Sequence, residues 1–572
     1  MGKKIAYILA AVLLALMART LVKAAAEDSA TSDEVVHATA GYTYVKTLDY
    51  RLNPEHPPLV KDLAGLLIST MPLNYPFKYF YSDDVDQYRN AYAFFYESGN
   101  DADAILFRGR LAVVAIAIIL GLFVFAWSAE LNGLAAGLFS LLLLAFDPNI
   151  LAHGHLITQD AAISAAVVVN LYFVWKYLQK PSALLLCAAG LTFGIALVTK
   201  FSAPLLLIAY VALVIYLSSV DRPLAGFVDR YSPLRATKTT AISLASKALP
   251  FAIIAAIGSA VVFLVYSINM LNMPVDAQKT LIENSLPAKA PTISSLAGTT
   301  FRPFAQYALG FHMVGNHVSV GQKIYLLGDL SRGARYYYPL VFAIKSTIPA
   351  LVLMLLALAF GRGLRSKSRI GEVALLSGAI AFPIAATLGN LDLGVRYILP
   401  FYPLFYIYAG KLVKLFRIES LGRHFGGRFR PGRAALTIAI ATLAIWQIAT
   451  ASRIAPFYVS YFNEFVGPER GGMIVSDSNV DWGQDLKRLK KYADDKRIEH
   501  LYIDYFGGGH IGYYFGRKAT RWSPVKPGKP KGWFAISLNN YTRYTAGGKY
   551  RWLLRDKPID RIGYSILVYY LR

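Results

Sequence analysis

The sequence contains a single cysteine and few charged residues. Cys187 is the one cysteine among 572 residues, so no disulfide can form within the chain, and any exported part folds without one. Charged residues make up 16% of the chain and hydrophobic residues 55%, with a mean hydropathy of +0.41. A soluble chain of this length would be more polar, so the composition indicates a polytopic α-helical membrane protein.

Acidic residues are also scarce, since 35 Asp and Glu stand against 59 Lys and Arg, for a net charge of +24. In a soluble protein this excess would favour nucleic acid binding. In a membrane protein, basic cytoplasmic loops account for it, and we expect no nucleic acid partner. No internal repeat is visible in the sequence.

Apolar runs predict about eleven membrane spans. They cover residues 5–24, 108–127, 131–147, 160–178, 182–199, 201–218, 249–270, 339–360, 372–389, 397–414 and 434–451. The two runs on either side of Lys200 are alternatively one broken helix. The first run also resembles a signal peptide, but we expect an uncleaved anchor, because an anchor would fix the acidic pair that follows it.

Basic residues predict which loops face the cytoplasm. If Lys3 and Lys4 lie inside, the Arg- and Lys-rich loops 219–248, 361–371 and 415–433 all fall on the same side, as the positive-inside rule requires. The outer face then holds segments 25–107, 148–159, 199–201, 271–338, 390–396 and 452–572. We therefore expect most acidic residues and most motifs on the periplasmic side of the inner membrane.

The chain divides into two predicted domains. Residues 1–451 form the membrane domain, with a first outer loop at 25–107 and a long outer loop at 271–338. Hydropathy falls after Ile454, and the remaining chain predicts a charged helix at 485–493 and strands at 501–506, 533–538 and 562–571. We therefore expect residues 452–572 to form a small soluble α/β domain outside the membrane.

The acidic pair Asp33-Glu34 follows the first span directly. A carboxylate at a membrane face can act as a general base towards a hydroxyl beside a lipid-borne leaving group. The alternative is a simple helix start, because Thr31, Ser32 and Asp33 are all good capping residues.

Other charged residues of the outer segments suit an anionic lipid ligand. Glu55, His56 and Lys61 accompany a Pro-Pro pair that favours an interfacial helix. Lys200 would neutralise a lipid phosphate or merely snorkel. Arg396 opens a helix, where a cation is unfavourable unless it has an anionic partner.

Three further features complete the candidate site. Lys345 lies within a predicted span, where ions are costly and usually functional, and Tyr337 stands at the entry of that span. Asp147 and Asp160 bracket a loop with His153 and His155. Their spacing matches no tight metal motif, so a divalent metal is an open alternative and no cofactor is certain.

The order of these motifs resembles the bacterial phospholipid-carrier-dependent glycosyltransferases. These are membrane proteins of the GT-C fold, related to the protein O-mannosyltransferases and to the aminoarabinose transferases of lipid A. The resemblance rests on Asp33-Glu34 and on the stretches 53–59, 147–160, 199–202, 325–339, 393–400, 461–467 and 477–487. Where lipid A transferases carry E-K-P-P, this chain has Glu55-His56-Pro57-Pro58.

The resemblance implies transfer of a sugar from a polyprenyl-phosphate donor on the outer face. It implies that the carboxylates of Asp33 and Asp160 are the catalytic groups. We expect the donor phosphate to bind Lys200, Arg396, His56 and Lys61, and the substrates to contact Glu34, Glu55, Tyr337 and Lys345.

We expect one in-line displacement with inversion at the sugar, with Asp33 as the base and a protein, lipid or glycan as acceptor. Two alternatives remain open. The first is a transporter or flippase of lipid-linked sugars, and the second is an oligosaccharide transferase with a pyrophosphate donor.

Overall fold

The computed structural model describes residues 2–81, 86–220, 240–286, 290–417, 433–526 and 528–572. Much of two basic loops expected on the cytoplasmic side, including Arg222, Arg230, Arg423 and Arg428, lies outside the described residues. The described chain is mostly helical, with a β-hairpin in the long outer loop and a five-stranded sheet near the C-terminus.

The helices of the predicted membrane domain are Lys3–Glu27, Glu34–Thr47, Leu59–Ile68, Phe77–Phe80, Gln87–Tyr92, Ala102–Asn132, Leu134–Ala145, Pro148–His153, Gln159–Gln179, Ala183–Leu197, Leu206–Ser219, Thr240–Asn269, Val275–Ser285, Ala290–Ala297, Arg302–Val320, Tyr337–Lys345, Ile348–Phe360, Arg369–Leu388, Phe401–Ala409 and Arg433–Ile454. The later helices are Pro468–Gly471, Leu486–Asp495, Ile511–Phe515 and Leu538–Ala546. A π-helical turn covers Ala93–Glu97, and 3₁₀ turns cover Ala203–Leu205, Val395–Ile398, Gly410–Arg417, Tyr458–Ser460, Asp477–Asn479, Gly516–Lys518 and Arg551–Arg555.

Several of these helices are suited to a bilayer. Within the described residues, five are long and apolar enough to span it: Lys3–Glu27, Ala102–Asn132, Gln159–Gln179, Leu244–Asn269 and Arg369–Leu388. Shorter apolar helices of 10–17 residues occupy further predicted spans: Leu134–Ala145, Ala183–Leu197, Ala203–Ser219 and Ile438–Ile454. The multi-pass membrane architecture is confirmed, and the number of spans stays a prediction.

The predicted span 339–360 is broken in the structure. Tyr337–Lys345 and Ile348–Phe360 meet at a bend of 110°, where Thr347 caps the second helix and precedes Ile348-Pro349. A bend leaves backbone carbonyls without helical partners, which is tolerated at membrane depth only inside protein. Here the Asn463 amide donates hydrogen bonds to the carbonyl oxygens of Ala343 and Ser346, at 2.7 and 2.9 Å.

The strands of the C-terminal sheet are β3 (Leu501–Asp504), β4 (Ala519–Arg521), β5 (Gly532–Ser537), β6 (Asp560–Ile562) and β7 (Ile566–Leu571). They lie side by side in the order β4-β3-β5-β7-β6. β3 is parallel to β4 and β5, while β7 is antiparallel to β5 and β6. The hairpin β1–β2, in the long outer loop, pairs Ile324–Leu326 with Asp329–Ser331.

The prediction of one strand over residues 562–571 was wrong. Ile562 ends β6, and Gly563 and Tyr564 turn the chain with positive φ angles of 59° and 65° before β7 begins at Ile566. A Cβ atom on Gly563 would overlap the carboxylate of Asp485. The apolar run of this stretch hides the turn, because only the glycine marks it.

The segment that precedes the sheet is fastened to the membrane domain. Lys345 Nζ donates to the carbonyl oxygens of Val459 and Asn479, at 3.0 and 2.6 Å. The backbone N–H of Ser29 donates to the carbonyl oxygen of Gln484 at 2.8 Å. The first part of the chain after residue 452 therefore packs directly against segments that were predicted to face outward.

Two helices of the first outer loop cross at a pair of glycines. Gly41 of Glu34–Thr47 faces Gly65 of Leu59–Ile68, and a Cβ atom on Gly41 would overlap the carbonyl oxygen of Lys61. A Cβ atom on Gly65 would overlap the carbonyl of Gly41. The crossing thus needs glycine at both positions, and it fixes the distance between the two helices.

We expect Gly41→Ala to destabilise the protein, because overpacking of this kind typically costs about 1–3 kcal/mol. The midpoint of thermal unfolding in detergent should fall. Gly315→Ala is the matched control, since nothing lies within 4 Å of its added methyl group and alanine favours a helix. An equal midpoint for both variants would contradict the close packing of the two helices.

Candidate functional site

A cavity of about 760 Å³ opens where the segments that were predicted to face outward converge. The charged and titratable side chains that line it include Asp33, Asp160, Lys200 and Arg396, as well as His56 and Glu55. The apolar side chains that line it include Ile163, Leu205, Val314, Val318, Phe382, Ala385, Ala386 and Leu391. The cavity can therefore hold a ligand that carries both charged and apolar groups.

Asp160 holds two cations of the cavity, Lys200 and Arg396. It lies in the first turn of Gln159–Gln179, where the helix dipole favours a carboxylate, and its side chain is only 2% exposed. One carboxylate oxygen lies 2.5 Å from Lys200 Nζ, and the other lies 3.7 Å from the Arg396 guanidinium. Because Asp160 faces two positive charges, it neutralises only one of them.

Aromatic rings support both cations. The Arg396 guanidinium lies 4.3 Å from the centre of the Trp482 ring, and Lys200 Nζ lies 4.7 Å from the centre of the Tyr397 ring. These are cation–π distances. Each cation therefore has a ring and a carboxylate as fixed neighbours, while it still lines the cavity.

Asp33 is more accessible than Asp160, with its side chain 35% exposed. It stands at the start of Glu34–Thr47 but makes no capping hydrogen bond to that helix. Instead it accepts from the Ser32 hydroxyl at 3.2 Å and from Arg396 at 3.3 Å. Its carboxylate is thus directed towards the cation cluster and away from the helix that it begins.

Glu34, which we expected to contact substrate, lies behind the cavity wall. Its carboxylate is fully buried and accepts two hydrogen bonds from Arg110, at 2.8 and 2.6 Å. It also accepts from the backbone N–H groups of Thr31 and Ile157, at 3.0 and 2.9 Å. Burial opposes ionisation, but Arg110 holds the pKa of Glu34 below its ordinary value. Glu34 therefore positions the loop that carries Asp33.

Lys61 is likewise buried away from the cavity. Its Nζ donates to the carbonyl oxygens of Asn53 and His56, both at 2.7 Å, and burial lowers the pKa of Lys61 to about 7. Lys61 thus shapes the turn that presents Glu55 and His56 to the cavity. Burial, with the neighbouring His37 and Lys61, holds the pKa of His56 well below its usual value, so His56 is a neutral ring at pH 7.

Tyr337 and Lys345 also lie outside the cavity lining. The Tyr337 hydroxyl accepts from the Gly394 N–H and from the Asn479 amide, both at 2.9 Å. The Asn479 side chain also accepts from the Val395 N–H at 3.1 Å. Together with the Lys345 contact to Asn479, these bonds fix the turn that carries Arg396. Both residues are therefore placed to position Arg396.

Asp477 and Trp482 also line the cavity, although neither was predicted as a site residue from the sequence. The Trp482 carbonyl oxygen accepts from the Ser32 N–H at 3.1 Å, next to Asp33. Burial raises the pKa of Asp477, and Arg396 opposes that rise. Both residues fall within the stretch 477–487, which resembles the same glycosyltransferases but was placed in a separate domain.

The His and Asp residues of the 147–160 loop do not converge on one point. Asp147 caps the helix Pro148–His153, and His155 contacts Asp28 at 3.0 Å. Among the described residues, no group of three or more His, Cys, Asp or Glu side chains is arranged to hold a metal ion. The use of a divalent metal stays an open alternative that these contacts do not test.

The sequence matches the family model of the dolichyl-phosphate-mannose-protein mannosyltransferases over residues 99–226. No curated protein sequence matches the chain. Among solved structures, the protein O-mannosyltransferase Pmt1-Pmt2 complex of S. cerevisiae, bound to the sugar donor, is 11% identical with a TM-score of 0.50, over 80% of this chain and 90% of that one.

ArnT from Cupriavidus metallidurans, bound to undecaprenyl phosphate, is 13% identical with a TM-score of 0.47, over 99% of this chain and 98% of that one. The family match includes Asp160 and Lys200 but neither Asp33 nor Arg396. The resemblance predicted from the motifs is therefore confirmed, because the chain is similar to the mannosyltransferase family in sequence over residues 99–226 and has a fold of the GT-C type.

Proposed function

We propose that the protein is an inverting glycosyltransferase that moves a sugar from a polyprenyl-phosphate donor to an acceptor hydroxyl. The observation that carries this proposal is the charge arrangement of the cavity: Asp160 holds Lys200 and Arg396, and the accessible carboxylate of Asp33 lies 3.3 Å from Arg396. The family match supports it. We further propose that the cavity faces the periplasm from the inner membrane.

The donor phosphate would bind between Lys200 and Arg396. Asp160 neutralises one of these two charges, so one remains for the single charge of a phosphodiester. The apolar lining of the cavity would accept the first units of the prenyl chain. As its bond to the sugar breaks, the leaving phosphate gains a negative charge. Fixed cations that face such a charge in a water-poor site typically stabilise the transition state by about 3–4 kcal/mol.

Donor binding would separate Asp33 from Arg396. An in-line displacement places the acceptor opposite the leaving phosphate, so the sugar must stand between the two side chains. A partly exposed ion pair is worth only about 0–1 kcal/mol, whereas Asp160 stays buried with its partners. Asp33 would then accept the proton of the acceptor hydroxyl as that oxygen attacks the anomeric carbon and the bond to the phosphate breaks.

We expect Asp33→Asn to lower sugar transfer by about a hundredfold or more, the magnitude usual for a general base. The measurement is release of lipid phosphate from a panel of radiolabelled polyprenyl-phosphate sugars by the purified protein. Glu55→Gln tests the neighbouring carboxylate of the same cavity, and Asp276→Asn, at an exposed position outside the cavity lining, is the matched control.

A larger loss with Glu55→Gln than with Asp33→Asn would transfer the role of base to Glu55. A flippase would leave every glycosyl bond intact. If the wild-type protein moved lipid-linked sugars across vesicles and released no lipid phosphate, the glycosyltransferase proposal would fail.

Arg396→Gln should also reduce transfer by about a hundredfold or more, since it removes a fixed cation from the leaving group. Arg335→Gln is the control, because Arg335 is exposed and donates to the carbonyl of Thr387 instead of lining the cavity. Single-turnover rates and donor KM for both variants separate chemistry from donor binding. Equal rates would remove Arg396 from the proposed phosphate site.

We also propose that Lys200 and Arg396 do the work that a divalent metal does in other transferases. A metal ion at Asp160 would have to displace Lys200, which lies 2.5 Å away. Transfer should therefore persist in EDTA. Loss of transfer in EDTA, with recovery on addition of Mg²⁺ or Mn²⁺, would show that a metal takes part.

A further inference from the structure

Three basic side chains surround the cavity on its outer side, and we call them the outer rim: Lys323, Arg332 and Arg543. All three line the cavity and are exposed. Within the described part of the chain, no ion pair joins any of them to an acidic side chain, in contrast to Lys200 and Arg396. The outer rim therefore carries positive charge that the protein itself does not neutralise.

The outer rim is built from two elements that pack together. Lys323 and Arg332 flank the β1–β2 hairpin, and Arg543 lies on the helix Leu538–Ala546, which contacts both strands of that hairpin. The backbone N–H of Leu327, at the tip of the hairpin, also donates to the carbonyl of Ile474 at 2.8 Å. The three charges are thus held on one continuous surface.

This positive surface extends onto the sheet. Residues 505–555 contain no Asp or Glu but ten Lys or Arg. Arg521 ends β4, at the edge formed by the carboxyl ends of the three parallel strands, which is where open α/β sheets bind ligands. Arg521 and Arg543 both lie near enough to Tyr544 to oppose the rise that burial causes in its pKa.

One carboxylate lies at the same edge. Asp504, at the end of β3, is buried and accepts hydrogen bonds from Asn540 and Tyr550, at 2.8 and 2.6 Å. Burial raises the pKa of Asp504, and Arg521 opposes that rise. Asp504 thus offsets part of the charge of Arg521, whereas the three cations of the outer rim pair with no acidic side chain in the described part of the chain.

Resting on the proposed function, we propose that the acceptor is an acidic glycan. Its carboxylates or phosphates lie on the outer rim while one of its hydroxyls enters the cavity. The donor needs only the inner cations, so the unneutralised charge of the rim is left for the second substrate. Tyr88, 63% exposed, and Phe506 line the same cavity, and aromatic rings give sugar rings an apolar face to pack on.

The first test measures binding to the full-length protein in nanodiscs. The probe is a fluorescent oligogalacturonate, which carries one carboxylate per sugar. Its methyl ester, which has the same sugars without the charge, is the control ligand. The triple variant Lys323→Ala, Arg332→Ala, Arg543→Ala should bind the acid form about tenfold or more weakly, with a reduced dependence on salt. Binding of the ester should be weak and unchanged.

The control variant removes the same charge elsewhere, as Lys491→Ala, Lys496→Ala, Lys557→Ala, all of which are exposed. It should bind the acid form within about twofold of the wild type. Equal binding of acid and ester, or an equal loss in the control variant, would overturn the proposal. The single variants Arg332→Gln and Arg543→Gln repeat the test if the triple variant unfolds at a lower temperature.

A second measurement separates this proposal from the function on which it rests. Hydrolysis of the polyprenyl-phosphate donor without acceptor should be unchanged in the triple variant. A loss of donor hydrolysis there would assign the rim to the donor, as in a pyrophosphate substrate, and would overturn the acceptor proposal. If the wild-type protein cleaves no donor either with or without an acceptor, but still binds the acid glycan through the rim, the glycosyltransferase proposal fails and the glycan site stands.

Discussion

The buried ion pair between Arg110 and Glu34 holds the first outer loop in place. Both side chains are fully buried, and Arg110 also donates to the carbonyl oxygens of Ala25, Asp28 and Ser29, at 2.7–2.9 Å. Breaking such a pair by removing one partner typically costs about 3–5 kcal/mol, because a charge is left buried alone. Asp33 directly precedes Glu34 in the chain, so this pair sets where the carboxylate of Asp33 lies.

Charge is distributed unevenly between the inner and outer parts of the cavity. In the inner part, Lys200 and Arg396 are matched by Asp160 and Asp33, one of which is buried and the other accessible. On the outer rim, the basic side chains have no acidic partners within the described residues. In the proposed reaction the two substrates are therefore selected separately: the donor replaces Asp33 beside Arg396, and the acceptor supplies negative charge to the outer rim.

Much of the inner site could be predicted from the sequence. Asp33, Asp160, Lys200 and Arg396 are separated widely along the chain, but they stand beside apolar runs whose alternation places them on one face, and the structure brings all four to one cavity. The helical membrane architecture follows from the same runs. Hydropathy is enough for these features because a span fixes both the depth and the side of its flanking residues.

The roles of Glu34, Lys61 and Lys345 could not be predicted in this way. A charged residue near a membrane face gives the same pattern whether it meets a ligand or a distant partner, and the partner of Glu34 lies 76 residues away. The bonds of Lys345 go to backbone carbonyls, which have no sequence signature. Asp477 and Trp482 were missed because hydropathy separates the tail from the membrane domain, whereas hydrogen bonds join them.

The hydrogen bonds between the tail and the membrane domain have an evolutionary consequence. Asn479 bonds at once to Tyr337, to the turn before Arg396 and to Lys345, so the boundary seen in hydropathy near residue 452 is not a boundary in the architecture. Contacts with the first outer loop continue as far as Tyr514: Arg488 donates to Asp28, and the Tyr514 hydroxyl donates to Asp103. An exchange of the tail between related proteins would therefore preserve the site only if its partner residues in that loop were exchanged with it. Tail and core are constrained to diverge together over this whole stretch.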